Sequence, residues 1–330
     1  MNWKNKKVLV TGADGFIGSH LTERLVAMGC RVRAFVYYNS FNSWGWLEES
    51  VPSTLKKIDV FTGDVRDPNG VYEAMKDVDI VFHLAALIGI PFSFHSPDSY
   101  VDTNIKGTLN VLQAARKLKT QRIVHTSTSE VFGTAQYVPM DEKHPIVPQS
   151  PYAATKAAAD QLALSFYLSF GLPVSILRPF NTFGPRQSAR AVIPTIMTQI
   201  LSGQKEIKLG NIETTRDLNY VDNTIDAFLA VAQSPQAVGQ TLNAGTNREI
   251  SIQELVLLIG KILKRPVKIA VDPARLRPGK SEVERLVCDA RQLRELCGWM
   301  PRVSLEEGLD KTARWMKKNL KKYKADLYNV

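Results

Sequence analysis

The stretch between Ser127 and Lys156 gathers the residue types best suited to moving protons. Ser127-Thr128-Ser129-Glu130 supplies hydroxyls and a carboxylate directly after Arg122-Ile123-Val124-His125, which reads as a strand. Downstream, Ser150-Pro151-Tyr152-Ala153-Ala154-Thr155-Lys156 opens a helix, because Pro151 suits a first turn and the chain to Ala163 is alanine-rich. Tyr152 and Lys156 leave one face of that helix together. A lone phenol has a pKa of roughly 10 and is a poor base near neutrality. A neighbouring ammonium favours the phenolate and brings that value toward the working range. Such a pair recurs by chance in many helices, so its meaning rests on the elements around it.

Those elements start near the N-terminus. Lys7-Val8-Leu9-Val10 is a short strand of buried type, Thr11-Gly12-Ala13-Asp14-Gly15-Phe16-Ile17-Gly18 follows, and Ser19 to Val26 has helical spacing. Strand, glycine-rich turn and helix form the context of a dinucleotide fingerprint. Gly12, Gly15 and Gly18 let backbone N–H groups approach a pyrophosphate at the helix N-terminus. A cationic nicotinamide would add to the pull of Lys156 on the phenol. A second strand, Arg31 to Val36, runs into Tyr37-Tyr38-Asn39-Ser40, where an NAD site often places an acid and an NADP site an arginine. With no basic clamp there, and Arg33 inside the strand, the pattern leans to NAD and leaves NADP open. Asp64 follows a third strand and is positioned to accept from an adenine amine. Asp79 to Ala86 reads as a fourth strand with His83 in its core, and Asn104 to Lys117 as an amphipathic helix. This alternation predicts an α/β fold, a Rossmann-like doubly wound parallel sheet.

Val174-Ser175-Ile176-Leu177 is a further strand, and beyond it proline and glycine become denser, through Pro194 and Gly203. The expected division is a dinucleotide-binding domain over 1–180 and 215–240, with a smaller mixed α/β substrate domain over 181–214 and 241–330. The basic loop Arg275-Leu276-Arg277-Pro278-Gly279-Lys280 suits a diphosphate. A chain of 330 residues, 44% hydrophobic and 22% charged, is ordinary for a globular protein. Its formal charge of +10 fits either nucleic acid or a small polyanion. No nucleic-acid motif accompanies it, and Lys317-Lys318 and Lys321-Lys322-Tyr323-Lys324 read as a solvated helix face. No apolar run reaches the roughly 18 residues of a membrane helix, and the N-terminus has no signal-peptide character, so a cytoplasmic protein is expected. Cys30, Cys288 and Cys297 share no ligand spacing, and no metal site is expected.

Together these pieces resemble the extended short-chain dehydrogenases/reductases that act on nucleotide sugars. The resemblance runs through Thr11-Gly12-x-x-Gly15-Phe16-Ile17-Gly18, Gly63-Asp64, His83-Leu84-Ala85-Ala86, Tyr152-x-x-x-Lys156 and Arg178-Pro179-x-Asn181-x-x-Gly184-Pro185. It implies NAD contacts from Gly12, Gly15, Phe16, Ile17, Gly18, Asp64, Val65, Leu84, Ala85, Ala86, Asn104, Tyr152, Lys156 and Pro179. By the same resemblance Asn181, Arg186, Arg216 and Arg277 would hold the diphosphate and nucleoside. Tyr152 would take the proton of a sugar 4-hydroxyl as the C4 hydride leaves, Thr128 would hydrogen-bond that hydroxyl, and Lys156 would hold the cofactor ribose. Glu130 would remove the C5 proton made acidic by the new ketone, leading to loss of the 6-hydroxyl.

One departure concerns Ser129. The dTDP-glucose 4,6-dehydratases have an aspartate there that protonates the leaving hydroxyl, so Glu130 would serve here as both base and acid. GDP-mannose 4,6-dehydratases and UDP-glucuronate decarboxylases both share Ser-Thr-Ser-Glu. The stretches Tyr38 to Leu47 and Arg277 to Leu286 resemble the 4,6-dehydratases of legionaminic acid biosynthesis, which act on GDP- or UDP-activated N-acetylglucosamine. Alternatives on this fold are a UDP-sugar 4-epimerase, a UDP-uronate decarboxylase and, remotely, a silent dinucleotide-sensing or RNA-associated protein. The resemblance also implies a homodimer joined by helices 104–117 and 151–170.

Overall fold

Seven parallel strands frame the computed structural model, which describes residues 2–324. They are β1 (Lys7–Thr11), β2 (Arg31–Tyr37), β3 (Ile58–Gly63), β4 (Ile80–His83), β5 (Arg122–Thr126), β6 (Val174–Pro179) and β7 (Thr241–Ala244). Their order across the sheet is β7-β6-β5-β4-β1-β2-β3. The chain fills one side of β1 with β2 and β3, then returns to the other side with β4. That reversal opens a crevice at the carboxyl ends of β1 and β4, where ligands of open α/β sheets bind. The strand Thr241–Ala244, which a boundary at 240 assigns to the smaller region, pairs with β6 and forms the sheet edge.

Both faces of the sheet are covered, so its central strands β1, β4, β5 and β6 are buried along nearly their whole length. Val8, Val10, Ile80, Phe82 and Val124 belong to one core with α1 (Phe16–Ala27) and the helix Val221–Gln233. Their alternates Leu9, Val81 and Ile123 belong to a second core under α2 (Pro68–Met75), α3 (Gly107–Leu118) and α4 (Pro151–Phe170). The helix expected from Asn104 begins earlier, as a wide helical turn over Val101–Lys106 that runs into α3. His83 is a core histidine: Nδ1 lies 2.8 Å from Thr11 Oγ1 and Nε2 lies 3.0 Å from Thr108 Oγ1. Thr108 already donates to the Asn104 carbonyl, so Nε2 carries the ring proton.

The smaller region is built around Thr215–Asp217, which pairs antiparallel with Glu249–Ser251 and parallel with Arg285–Leu286. The buried Asp217 carboxylate accepts from the backbone N–H groups of Thr246, Asn247 and Cys288 and from the Thr246 hydroxyl. This locks the strand that carries Arg216. The basic C-terminal stretch is more than a solvated face. Lys322 pairs with Glu49 and lies over the Trp46 ring, which packs edge-on against Trp315 at 5.7 Å.

Candidate functional site

A single cleft of about 1610 Å³ runs from the carboxyl end of β1 into the smaller region. That exceeds the usual volume for one small ligand and suits two of nucleotide size. At one end lies the glycine turn. Gly12 has φ +68, and a Cβ there would stand 2.9 Å from the backbone N of Ala85. A Cβ on Gly18 would run into the Gly12 carbonyl. Thr11 Oγ1 accepts from the N–H groups of Leu84 and Ala85, both at 3.1 Å, and so ties the loop after β4 to this turn. No side chain caps the N-terminus of α1 at Gly15, so its first N–H groups are free for an anion. Turn, loop and helix end thus fit the pyrophosphate of a dinucleotide.

The proton-transfer residues meet midway along the cleft. β5 ends at Thr126, and Ser129–Phe132 form one tight turn whose cap is Thr128, with Oγ1 accepting from Glu130 N at 3.3 Å. Glu130 is only 8% exposed, yet it lines the cleft. Ser150 caps α4 by accepting from Ala153 N at 3.1 Å, which fixes the turn carrying Tyr152. Burial pushes the Tyr152 phenol upward, a hydrogen bond with Thr128 pulls it back, and the Glu130 charge adds to the rise. The balance is a rise above the ordinary phenol value, so the lowering expected from Lys156 is not met in the protein alone, where only Thr128 pulls the phenol down against burial. Burial brings the Lys156 ammonium down to about 8, and the Asp160 carboxylate opposes that fall.

Asp160 lies one helical turn beyond Lys156 and is fully enclosed. Ser127 Oγ donates to its Oδ2 at 2.5 Å, Arg178 Nη2 does so at 3.1 Å, and His125 Nε2 lies 3.2 Å from Oδ1. Burial alone would raise this carboxyl; His125, Arg178 and Ser127 more than offset it and hold it below its usual range. The cluster joins β5, β6 and α4 directly beneath the Ser127–Glu130 turn.

At the far end stand the residues expected to hold a diphosphate. Arg216 is buried, and its Nη2 lies 3.5 Å from Glu282 Oε1, with the Glu130 charge also acting on it. Arg277 Nη1 lies 3.6 Å from the same Glu282 oxygen. Asn181 Oδ1 is buried without a protein partner. Arg186 reaches back to α1, donating to Glu23 at 2.8 Å and Ser19 at 3.2 Å, and still borders the cleft.

Every residue expected at the cofactor, the chemistry or the diphosphate lines this cleft except two. Asp64 is taken up by Arg66, whose Nη2 donates to it at 2.5 Å. Asn104 is buried behind the wall, where its amide accepts from Leu87 N at 2.9 Å and donates to Leu87 O and Thr155, both at 3.0 Å. It positions the loop after β4 and does not border the cleft. Residues not anticipated are Asp14, Arg66 and Arg190 on the wall and Asp160 beneath it. Only Asp160 left a sequence signal, the i+4 spacing from Lys156 that puts it on the same helix face.

Comparison with known proteins agrees with this geometry. The family model described as GDP-mannose 4,6 dehydratase matches residues 9–312. A UDP-N-acetyl-alpha-D-glucosaminuronate decarboxylase from Bacillus cytotoxicus is 33% identical over 94% of this chain and 98% of its own. A dTDP-glucose 4,6-dehydratase from Xanthomonas campestris is 30% identical over 93% of this chain and 92% of its own. Among solved structures, a dTDP-glucose 4,6-dehydratase from Streptomyces venezuelae with NAD bound superposes with TM-score 0.84 at 28% identity, covering 96% of this chain and 98% of the other. A UDP-glucuronic acid 4-epimerase from Bacillus cereus, in complex with UDP-glucuronic acid and NAD, gives TM-score 0.86 at 27% identity, covering 95% and 99%. With its parallel sheet, glycine cradle and Tyr152–Lys156 pair, the chain belongs to the extended short-chain dehydrogenase/reductase family of NAD-dependent nucleotide-sugar epimerases and dehydratases.

Proposed function

We propose that the chain is a 4,6-dehydratase that converts a nucleotide-activated N-acetylglucosamine to its 4-keto-6-deoxy form. The observation that carries this reading is Glu130, an enclosed carboxylate in the cleft whose charge acts on both Tyr152 and Arg216. A 4-epimerase has no use for a second proton-transfer group there. NAD, when bound in the glycine cradle, supplies a hydride acceptor at C4 and a donor at C6. Tyr152 takes the proton of the 4-hydroxyl, aided by its hydrogen bond to Thr128. Glu130 takes the proton from C5, α to the new carbonyl, and passes it to the departing 6-hydroxyl, which leaves as water; C5 would then regain a solvent proton by way of Glu130 as C6 receives the hydride. Ser129, without an acidic proton, orients that hydroxyl. The preference for an N-acetylglucosamine rests on the stretches Tyr38–Leu47 and Arg277–Leu286, of which Gly45, Trp46, Arg277, Pro278 and Glu282 border the cleft.

A second reading, uronate decarboxylation, draws on Arg190. Its Nη1 would lie 3.2 Å from a Cβ at Gly89, its charge acts on Tyr100, and the Tyr100 ring lies 6.3 Å from that of Tyr152. A cation so placed could hold a sugar carboxylate. Mass spectrometry after incubation with GDP-GlcNAc, UDP-GlcNAc or UDP-glucuronate, with NAD in D2O, separates the readings. Loss of one water with one deuterium fixed at C5 is the expected result. An unchanged mass with inverted C4, or loss of carbon dioxide from the uronate, overturns the role given to Glu130.

The dimer reading draws on α3 and α4. Leu168 is 72% exposed on α4, and Phe170 is half-exposed with the Arg116 guanidinium of α3 at 3.8 Å over its ring. These residues would pair across a two-fold axis as a four-helix interface.

A further inference from the structure

The adenosine end of the cleft lacks an acid at the end of β2, where Tyr37 and Tyr38 stand. A carboxylate reaches the same place from a different element. Asp14, in the glycine turn, accepts from the backbone N–H of Tyr37 at 3.3 Å. The turn is held against β2 because Ala13 N donates to Phe35 O at 3.3 Å. It is held from the other side by Trp46 N, which donates to Asp14 O at 2.9 Å. Gly45, at φ +57, passes so close that a Cβ there would stand 2.6 Å from that same carbonyl. Asp14 therefore has little freedom to move away, and it lines the cleft beside Gly12, Gly15 and Tyr37.

The neighbouring cation is already neutralised. Arg66 also borders the cleft, but its Nε and Nη2 donate to Asp64 Oδ2 at 2.9 and 2.5 Å, and Nη2 lies 3.4 Å from the Tyr37 hydroxyl. Burial pushes the Asp14 carboxyl up, and backbone N–H groups oppose that rise. Lys322, near Trp46, is likewise paired, with Glu49, so among the described residues Asp14 has no salt-bridge partner.

We propose that Asp14 selects NAD over NADP, its carboxylate accepting from the 2′-hydroxyl of the adenosine ribose and repelling a 2′-phosphate. The task usually given to an acid at the end of β2 has moved into the glycine turn. Asp64 supports the choice by withholding Arg66, which would otherwise suit a phosphate as a planar, bidentate donor. The proposal rests on the cofactor cradle and is independent of which sugar chemistry follows.

Calorimetric titration of the nucleotide-stripped full chain with NAD and with NADP tests it without any turnover. The native protein is expected to bind NAD at least about tenfold more tightly, the scale of one unscreened charge contact. Asp14→Asn keeps an acceptor for the Tyr37 N–H and removes the charge, so the ratio should fall toward one, chiefly through a gain in NADP binding. Asp64→Asn leaves Asp14 in place and frees Arg66, and should also strengthen NADP binding. A native ratio near one, or a ratio that Asp14→Asn leaves unchanged, overturns the assignment. Should Asp14→Asn fail to fold, Asp14→Ser, which keeps an acceptor oxygen, reads the same ratio. Unchanged NADP binding in Asp64→Asn refutes the part given to Arg66.

Discussion

Replacing Asp160 by asparagine measures how far a buried carboxylate keeps Lys156 charged. Burial alone drives the Lys156 ammonium down, to about 8, against the pull of Asp160. The two residues are one helical turn apart, about 6 Å along the axis. At an effective dielectric of about 20, unit charges at that distance interact by about 3 kcal/mol, or about two pKa units. The Arg178 cation on the same carboxylate opposes that attraction at Lys156, so about half of it, about one pKa unit, is expected to remain. In Asp160→Asn the ammonium should therefore titrate near 7, mostly neutral at the pH where the native group is half charged. NMR titration of lysine labelled with 13C at Cε reads this directly, with Lys156→Met identifying the resonance. The same change should cost about 3–5 kcal/mol in stability, because Arg178 is left buried without its anion. A Lys156 titration unmoved by the substitution would refute the electrostatic coupling, whatever the stability does.

Three further outcomes follow from the same structure. Gly12→Ala should abolish measurable NAD binding by calorimetry and cost about 1–3 kcal/mol in urea unfolding, since φ is +68 and the added Cβ meets the Ala85 backbone. The Asp160 carboxyl is held below its unfolded value, so its contribution to stability is complete above an unfolded pKa of about 3.9 and is lost as pH falls through the lower folded value. Urea midpoints of Asp160→Asn and the native chain should thus differ at neutral pH and converge in strong acid. Leu168→Glu should convert a dimer to monomer by light scattering at micromolar concentration; a native chain that is already monomeric would remove the dimer reading.

The parts of the site that were legible in the sequence are those written by one element at a time. Gly12, Gly15 and Gly18 fall on a turn between an apolar strand and a helix, and Tyr152 and Lys156 on one helix face, so local periodicity places them. Asp64 is engaged by a partner two residues away, Arg66, which its own strand end does not announce. Asn104 carries a side chain suited to a ligand, yet the wide turn Val101–Lys106 directs it to Leu87 and Thr155. Asp160, Arg178 and Ser127 stand on α4, β6 and after β5, and only the packed sheet brings them together. Arg190 comes from the irregular segment before Val192–Leu201, where no periodicity speaks. Contacts made between elements are the part that single-element patterns cannot carry.

Thr128 is the residue through which the two proton-transfer groups affect one another. Its hydroxyl accepts from Glu130 N–H, which leaves its single proton for the Tyr152 oxygen. That donation favours the phenolate, while the nearby Glu130 charge disfavours it. Two anions in one enclosed pocket repel strongly, so the phenolate and the carboxylate oppose each other until one of them is neutralised. A proton arriving on Tyr152 from the sugar hydroxyl removes that repulsion, and the Glu130 charge still acts on Arg216. On the proposed reaction, the C5 proton becomes acidic only once C4 is a ketone, so proton transfer to Tyr152 precedes proton transfer to Glu130. A tight turn of four residues, Ser129–Phe132, capped by Thr128, fixes Glu130 relative to Thr128. Lengthening or loosening that turn would displace Glu130 from Thr128 and Tyr152 and slow the removal of the C5 proton even with every proton-transfer side chain retained.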